Sequence, residues 1–361
     1  MQTKYRMVKD RIKERILAGD YQANQRIDSE SQLMKQHQVS RHTVRMAIGE
    51  LVNEGWLYRE QGAGTFVQDK VSQKDEAVHT PKSIAIITTF ISDYIFPSII
   101  RGAESYLSER GYQVSLFSTN NDSQKEKSIL EKIIQQRFDG VIIEPTKSAY
   151  TCPNLSYYFQ LEKQQIPYIM INGYYEELEP PAFVINDEKG GFIQTEHLIE
   201  RNHREIAGFF KTDDRQGVQR LKGFIKAHRK HSIDINPEHI ITYTSEVKST
   251  KPLEELKKLL DHRLITGIVC YNDELAVLML NELRTRKMDV PSQISLVGFD
   301  NSFLSEATEV KLTTIEHPKN ELGYEAAESL VSIIENPEQT PLEMKQYEPK
   351  LIIRKSTSYA P

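Results

Sequence analysis

The chain has 361 residues, 39% apolar and 27% charged, with a net charge of −5, a length and balance that predict a soluble protein of two or three domains of about 100–200 residues each. No apolar run approaches the ~20 residues of a membrane span, and the start Met1-Gln2-Thr3-Lys4-Tyr5-Arg6 lacks the apolar core of a signal peptide. Only Cys152 and Cys270 occur, which argues against a disulfide framework or a zinc site and fits a reducing cytoplasm, with no metal, cofactor or membrane partner expected.

Charge is spread unevenly: residues 1–70 hold 12 Lys and Arg against 9 Asp and Glu, the remainder 34 against 42. A mildly basic head therefore precedes an acidic body. Tyr5, Val8, Ile12 and Ile16 form a helical stripe that ends at Gly19. Asp28-Ser29-Glu30-Ser31-Gln32 opens a second helix, with Ser29 and Gln32 at capping-box spacing. Leu33 and Met34 supply its apolar contacts, and it stops near His37-Gln38. Ser40 then caps a third helix, in which Val44, Ile48, Leu51 and Val52 make one buried face. Arg41, His42, Arg45 and Met46 fall on the other face, where they can reach phosphates and base edges of a major groove. Taken alone, that stretch fits an ordinary amphipathic helix with a solvated basic face equally well. Two short helices joined by so tight a turn are the pattern of a helix-turn-helix. Trp56–Arg59 reads as a strand, Gln61-Gly62-Ala63-Gly64 as a turn and Thr65–Val67 as the returning strand. The hairpin is either a wing whose glycines let the backbone approach DNA, or a plain hairpin that closes a small domain.

The run Val39-Ser40-Arg41-His42-Thr43-Val44-Arg45-Met46-Ala47-Ile48, with Glu54-Gly55 and Gly62-Ala63-Gly64-Thr65-Phe66-Val67, resembles the winged helix-turn-helix head of the GntR family of bacterial transcription regulators. The resemblance covers about residues 1–70. It implies that Arg41 and Arg45 contact bases or phosphates, joined by His42 and Thr43, and that Gln61 and Gly62, with Gly64 in the same wing segment, follow the minor groove. Glu30 stands where relatives position an arginine or touch DNA, and Lys4 joins this DNA-binding set. Asp28 departs from the family, which usually carries proline there; aspartate also starts helices, so the fold is expected to survive.

Residues 68–80 are polar and aperiodic and Pro81 follows, so a linker is assigned to 71–82. From Ser83 short apolar runs alternate with helical patterns: strands at Ser83–Phe90, Val114–Phe117, Gly140–Ile143, Ile166–Asn172, Ile206–Phe210, Ile240–Tyr243, Ile265–Tyr271 and Ile294–Phe299. Among the intervening helices are Pro97–Arg110, Gln124–Arg137 and Leu155–Lys163. Continuous apolar strands between helices predict α/β architecture with parallel sheets covered on both faces, and residues 83–361 suffice for two lobes. Ligands in such sheets bind at the carboxyl ends of strands. Phe90, Glu144, Asn172, Asn272, Asp273 and Asp300 all lie just past strand ends. Carboxylates and amides pair with vicinal hydroxyls and an aromatic face covers the apolar side of a ring, so the set suits a sugar. Asp and Asn at strand ends also cap helices, and Asp273 is a cap candidate for Glu274–Arg286.

Asn186-Asp187-Glu188-Lys189-Gly190-Gly191, Arg220-Leu221-Lys222-Gly223-Phe224, Tyr271-Asn272-Asp273-Glu274, Val297-Gly298-Phe299-Asp300 and Leu312-Thr313-Thr314-Ile315 occur in order. The ordered set resembles the effector domain of the LacI/GalR repressors and their periplasmic sugar-binding relatives, periplasmic-binding-protein-like in fold. The resemblance implies that Arg220 and Asp273 bind sugar hydroxyls with Asn272 and Asp300, that Asn172 lies at the hinge end of a first-lobe strand, and that Phe90 and Phe96 stack on the ring. Packing of the first helix accounts for Phe96 as well. Glu144 and His317, after the last crossover strand, complete the effector set. A GntR-type head on such a body resembles the arabinose-operon regulators of Bacillus-like bacteria, which implies L-arabinose as effector.

The expected function is a cytoplasmic, sugar-responsive transcriptional repressor of carbohydrate-utilisation genes. As a homodimer it would set two recognition helices about one turn apart on double-stranded operator DNA. An activator, or a regulator that answers another sugar, has the same parts. No Gly-x-x-x-x-Gly-Lys loop or Gly-x-Ser-x-Gly elbow occurs, so no catalytic residues and no enzyme are expected. A sugar-transport binding protein is disfavoured by the basic head and the start of the chain.

Overall fold

A computed structural model describes residues 4–17, 20–22, 24–60, 63–68, 82–92, 94–262, 265–338 and 344–361. The chain divides into two compact units, Met1–Thr80 and Pro81–Pro361. Gly19, Gln61, Gly62 and linker residues 71–81 lie outside the described residues.

The first unit contains α1 (Lys4–Leu17), α2 (Glu30–His37), α3 (Arg41–Asn53) and a hairpin of β1 (Leu57–Glu60) with β2 (Gly64–Val67). Val8 and Ile12 of α1 share one core with Leu33, Val44, Ile48 and Leu51. The capping box closes on both sides: the Ser29 hydroxyl accepts from the Gln32 amide, and the Ser29 amide donates to the Gln32 side chain at 2.8 Å. Gln38 ends α2 in a left-handed turn with φ +51°, its N–H donating to the Met34 carbonyl, and Ser40 caps α3 by accepting from the Thr43 amide at 3.3 Å. Two capped ends separated by so few residues force the tight turn. In the hairpin Tyr58 faces Phe66 in register, and their rings stack with centroids 5.5 Å apart.

Asp28, where the family usually carries proline, leaves helix α2 intact, capped by Ser29, and its carboxylate bonds elsewhere. Its Oδ2 accepts from Tyr21 Oη at 2.7 Å, Arg15 Nη1 at 3.0 Å and Gln36 Nε2 at 3.1 Å, which ties α1 to α2. The Tyr21 hydroxyl, with Gln36 and Arg15, draws the Asp28 carboxyl below its usual value. A carboxylate whose folded pKa is depressed stabilises the fold above the unfolded pKa of about 3.9, and that contribution is lost as pH falls through the lower folded value. The melting temperature of the head is therefore expected to drop as pH falls below about 4, and Asp28→Asn to flatten that drop. A calorimetric pH series with the same slope for both proteins would count against this.

The second unit holds two six-stranded sheets. One comprises β3 (Ser83–Thr88), β4 (Gln113–Ser118), β5 (Gly140–Ile143), β6 (Tyr168–Ile171), β7 (Ala182–Ile185) and β13 (Lys345–Tyr347), ordered β13-β7-β6-β5-β3-β4 and parallel throughout. The other comprises β8 (Ile206–Lys211), β9 (Ile240–Tyr243), β10 (Gly267–Cys270), β11 (Ser295–Asp300), β12 (Thr313–Glu316) and β14 (Lys350–Ile352), ordered β14-β12-β11-β10-β8-β9. Only β14 runs antiparallel, against β12. β5, β6, β7 and β10 are buried at every residue, the reason they read as unbroken apolar runs.

The first lobe carries α4 (Phe96–Glu109), α5 (Ser123–Gln136), α6 (Leu155–Lys163) and α12 (Lys319–Glu335); the second carries α7 (Asp187–Ile199), α8 (Arg215–Lys230), α9 (Lys251–Asp261), α10 (Asp273–Thr285) and the short α11 (Leu304–Ala307). The chain passes between lobes after β7, after β12 and after β13. This returns α12 to the first lobe, where Gly323 lies so close to α4 that an added Cβ would stand 2.0 Å from the Ile99 carbonyl oxygen. The α/β, two-lobed architecture is the expected one. Four strands, β7, β12, β13 and β14, were not among the predicted runs; the last two span three residues each and begin at exposed lysines, too short to show alternation.

Candidate functional site

In the head, Arg41, His42 and Arg45 are exposed on α3 and Thr43 is half-buried, on the face opposite buried Val44, Ala47 and Ile48. Arg45 is steadied from α2: its Nε lies 3.0 Å from both carboxylate oxygens of Glu30. That contact uses Nε alone and leaves the two Nη groups for another partner. Glu30 thus positions the arginine. Gly64 opens β2 with φ +132°, a backbone conformation that favours glycine, and the Arg26 guanidinium lies against it. Lys4 is exposed at the start of α1.

In the body, a cavity of about 200 Å³ opens between the carboxyl ends of the two sheets. Eight expected residues line it: Phe90, Phe96, Glu144, Asn172, Arg220, Asn272, Asp300 and His317. The volume sits at the small end of ligand pockets, below about 300 Å³. Two of the strand-end residues aim their side chains from left-handed backbone, Asn172 at φ +62° and Asp300 at φ +93°. Such angles are uncommon outside glycine and concentrate at functional sites. The Lys319 ammonium fixes the second of these by donating to the Asp300 carbonyl at 2.6 Å and the Asn301 carbonyl at 3.0 Å.

The polar wall of the first lobe is a relay. Thr89 donates to Glu144 Oε2 through its amide at 3.0 Å and its hydroxyl at 2.5 Å. Asn172 Nδ2 donates to Glu144 Oε1 at 3.0 Å, and Asn172 Oδ1 faces His317 Nε2 at 3.1 Å. Burial pushes the Glu144 carboxyl up, against these donors. Because Asn172 Oδ1 accepts, His317 carries its proton on Nε2 and offers Nδ1 as an acceptor. Burial lowers the His317 pKa to about 4, so the ring is neutral at neutral pH.

The wall of the second lobe centres on Arg220. Gly191 and Gly223 let α7 and α8 meet backbone to backbone; a Cβ on Gly191 would stand 2.2 Å from the Arg220 carbonyl oxygen. The guanidinium lies between the rings of Phe299, 3.5 Å away, and Tyr271, 4.8 Å away. It donates to Asp187 Oδ1 at 2.9 Å and the Tyr271 carbonyl at 2.6 Å, and stands 3.7 Å from Asp300. Burial raises the Asp187 carboxyl to about 6 despite the arginine, which keeps the pair ionised at neutral pH. Among the described residues Asp300 Oδ1, His317 Nδ1 and Gln216 Oε1 are buried without a hydrogen-bond partner. All three residues line the cavity, and buried acceptors left open call for donors from a ligand.

Asp273 is the exception. It does not line the cavity, and its carboxylate accepts from the Ser302 amide at 2.8 Å, the Ser302 hydroxyl at 3.0 Å and the Thr314 hydroxyl at 2.7 Å. With both oxygens engaged inside the lobe, it joins α10 to the residues after β11 and to β12. The helix cap is the residue before it, Asn272, whose Oδ1 accepts from the Leu275 amide at 2.9 Å while the residue also lines the cavity. Phe96 belongs to the core of the first lobe and also lines the cavity, beside Phe90 at 6.1 Å.

Among the lining residues that escaped the sequence reading are Tyr94, Lys211, Asp214, Gln216 and Tyr271. Lys211 ends β8 and pairs with Asp214 at 2.9 Å, and Tyr271 follows β10 and donates to Asp214 at 2.7 Å. The strand-end rule that picked Asp300 would have found Lys211, Asp214 and Tyr271 had it been applied to every strand. Tyr94 lies in a turn and carries no such signal.

Residues 4–67 match the model of the bacterial regulatory proteins of the gntR family, and residues 195–357 match that of a periplasmic binding protein-like domain. The chain is 56% identical to the arabinose metabolism transcriptional repressor of Halalkalibacterium halodurans, over 100% of this chain and 98% of that protein. It is 50% identical to the repressor of the same description from Geobacillus stearothermophilus, over 98% and 97%. Among solved structures it is similar to a LacI family transcriptional regulator from Enterococcus faecium with bound ribose, at a TM-score of 0.67 and 26% identity, over 77% of this chain and 99% of that one.

Proposed function

Because the chain belongs to the family of arabinose metabolism transcriptional repressors, a gntR-type reader followed by a periplasmic-binding-protein-like body, we propose that it represses sugar-utilisation genes and releases their operator when L-arabinose fills its cleft. The observation that carries the ligand half is the cavity itself, walled by Glu144, Asn172, Arg220, Asp300 and His317 with unpartnered acceptors at Asp300, His317 and Gln216. A pentose supplies the hydroxyl donors that these acceptors lack, and Phe90 and Phe96 offer aromatic faces to its C–H side.

The head reads DNA through Lys4, Arg41, His42, Thr43 and Arg45, with Glu30 as the positioning carboxylate and Gln61, Gly62 and Gly64 as the wing. Head, linker and body divide as 1–70, 71–82 and 83–361. The regulator works in the cytoplasm as a homodimer, each head taking one half of a near-palindromic site. Sugar acts by binding better to one of two states of the body, and a coupling of about 1–3 kcal/mol shifts operator affinity about 5- to 150-fold.

The test is a calorimetric panel of pentoses and hexoses on the full chain, followed by titration of the tightest sugar into chain bound to an operator selected from random DNA. L-arabinose is expected to bind tightest and to release the operator. Another sugar at the top of the panel would discard the arabinose assignment, and unchanged or tighter operator binding would discard the release.

A further inference from the structure

The turn between β3 and α4 places one first-lobe side chain across the cleft. Tyr94 holds left-handed backbone at φ +61°, a strained conformation for a bulky residue that persists where surroundings over-determine it. Its hydroxyl touches three groups of the second lobe. It lies 2.6 Å from Asp300 Oδ2 and 3.0 Å from the Phe299 carbonyl oxygen, both acceptors, and it accepts from the Asp273 amide at 3.0 Å. The single phenolic proton goes to the nearer, charged acceptor, because charge-assisted bonds are the shorter and stronger ones. Burial raises the phenol well above its usual range, so it remains a donor.

We propose that Tyr94 is a positioning residue for the effector: its hydroxyl engages one oxygen of Asp300, turns the other to the ligand, and links the two lobes. This rests on the reading of the cavity as a sugar site. Asp300 Oδ2 is engaged by the phenol, whereas Oδ1 is buried without a hydrogen-bond partner among the described residues. The carbonyl of the same residue is pinned by Lys319. Backbone and one carboxylate oxygen are thus both held, and the remaining oxygen is presented in a fixed direction. The bond to the Asp273 amide reaches the first turn of α10, so the same hydroxyl also links the first lobe to the helix that follows Asn272. The link is between protein groups and exists whatever the ligand.

The experiment compares the full-length wild type with Tyr94→Phe, which keeps the ring and removes only the hydroxyl. Hydrogen exchange at the Asp273 amide is read without sugar, and L-arabinose affinity is read by calorimetry. Loss of the hydroxyl is expected to speed Asp273 exchange about tenfold and to weaken L-arabinose about 10- to 100-fold, the scale of one hydrogen bond to a charged group. A role in packing alone predicts that phenylalanine behaves as tyrosine. Exchange and affinity both within twofold of wild type would overturn the proposal. If the wild type binds no L-arabinose, the ligand assignment of the preceding section falls, and Asp273 exchange still decides the cross-cleft role of Tyr94.

Discussion

Asp300→Ala is expected to weaken L-arabinose binding at least a hundredfold. The substitution removes Oδ1, an acceptor without a hydrogen bond that stands 3.7 Å from Arg220 Nη2, from the cavity wall, and a hydrogen bond to a charged group contributes about 1.5–3 kcal/mol. It also strips the Tyr94 hydroxyl of its 2.6 Å partner and takes from Arg220 the second of two nearby carboxylates, 3.7 Å away. Removing one member of a buried charge cluster costs about 3–5 kcal/mol, because the charge left behind is uncompensated. Part of that cost falls on the fold, so the measurement pairs calorimetric titration with a melting curve. Asp300→Asn keeps the shape and an acceptor but loses the charge, and an intermediate affinity is expected. Alanine binding sugar within threefold of wild type would show that Asp300 does not touch the ligand.

Arg45→Ala is expected to lower operator affinity about 10- to 100-fold, as one bidentate base contact is worth about 1–3 kcal/mol. Sugar affinity should be unchanged. The salt dependence separates two modes of contact. If Arg45 meets a phosphate, the slope of log K against log salt falls by about 1 and all sequences weaken alike; if it reads a base, preference relaxes at one position. Glu30→Gln should reproduce a weaker form of the defect, since the arginine loses the carboxylate 3.0 Å from its Nε. Loss of sugar binding as well would indicate misfolding. Operator affinity equal to wild type would remove Arg45 from the interface.

Much of the molecule was legible before any coordinates. Ser29, Gln32 and Ser40 announced the helix starts because capping depends on residues three apart. β5, α6 and β9 were read to the residue, because a strand buried at every residue such as β5 is a continuous apolar run, while the short edge strand β9 and the amphipathic α6 keep their periods of burial. Five residues that line the cavity, Phe90, Glu144, Asn172, Asn272 and Asp300, follow from one topological rule, that ligands meet parallel sheets at the carboxyl ends of strands, whereas Phe96, Arg220 and His317 were implied by the family resemblance. Asp28 and Asp273 both lie beside a helix start and cap neither helix. A carboxylate beside a helix start can cap it or bond elsewhere, and the choice lies with partners distant in sequence: Tyr21 and Arg15 for one, Ser302 and Thr314 for the other.

What the sequence determined by itself was therefore everything of short range: element identity, caps, the reader helix with its buried and basic faces, and the list of polar groups at strand ends. The tertiary structure alone decided where those groups point. Asp273 turns inward and Asp300 outward although both stand at strand ends, because Asp300 leaves β11 in left-handed backbone that Lys319 stabilises. Tyr94 meets Asp300 across 206 positions of chain. Periodicity is set by neighbours along the chain, whereas a hydrogen bond between lobes depends on how two separately folded sheets come together, and no local pattern encodes that distance.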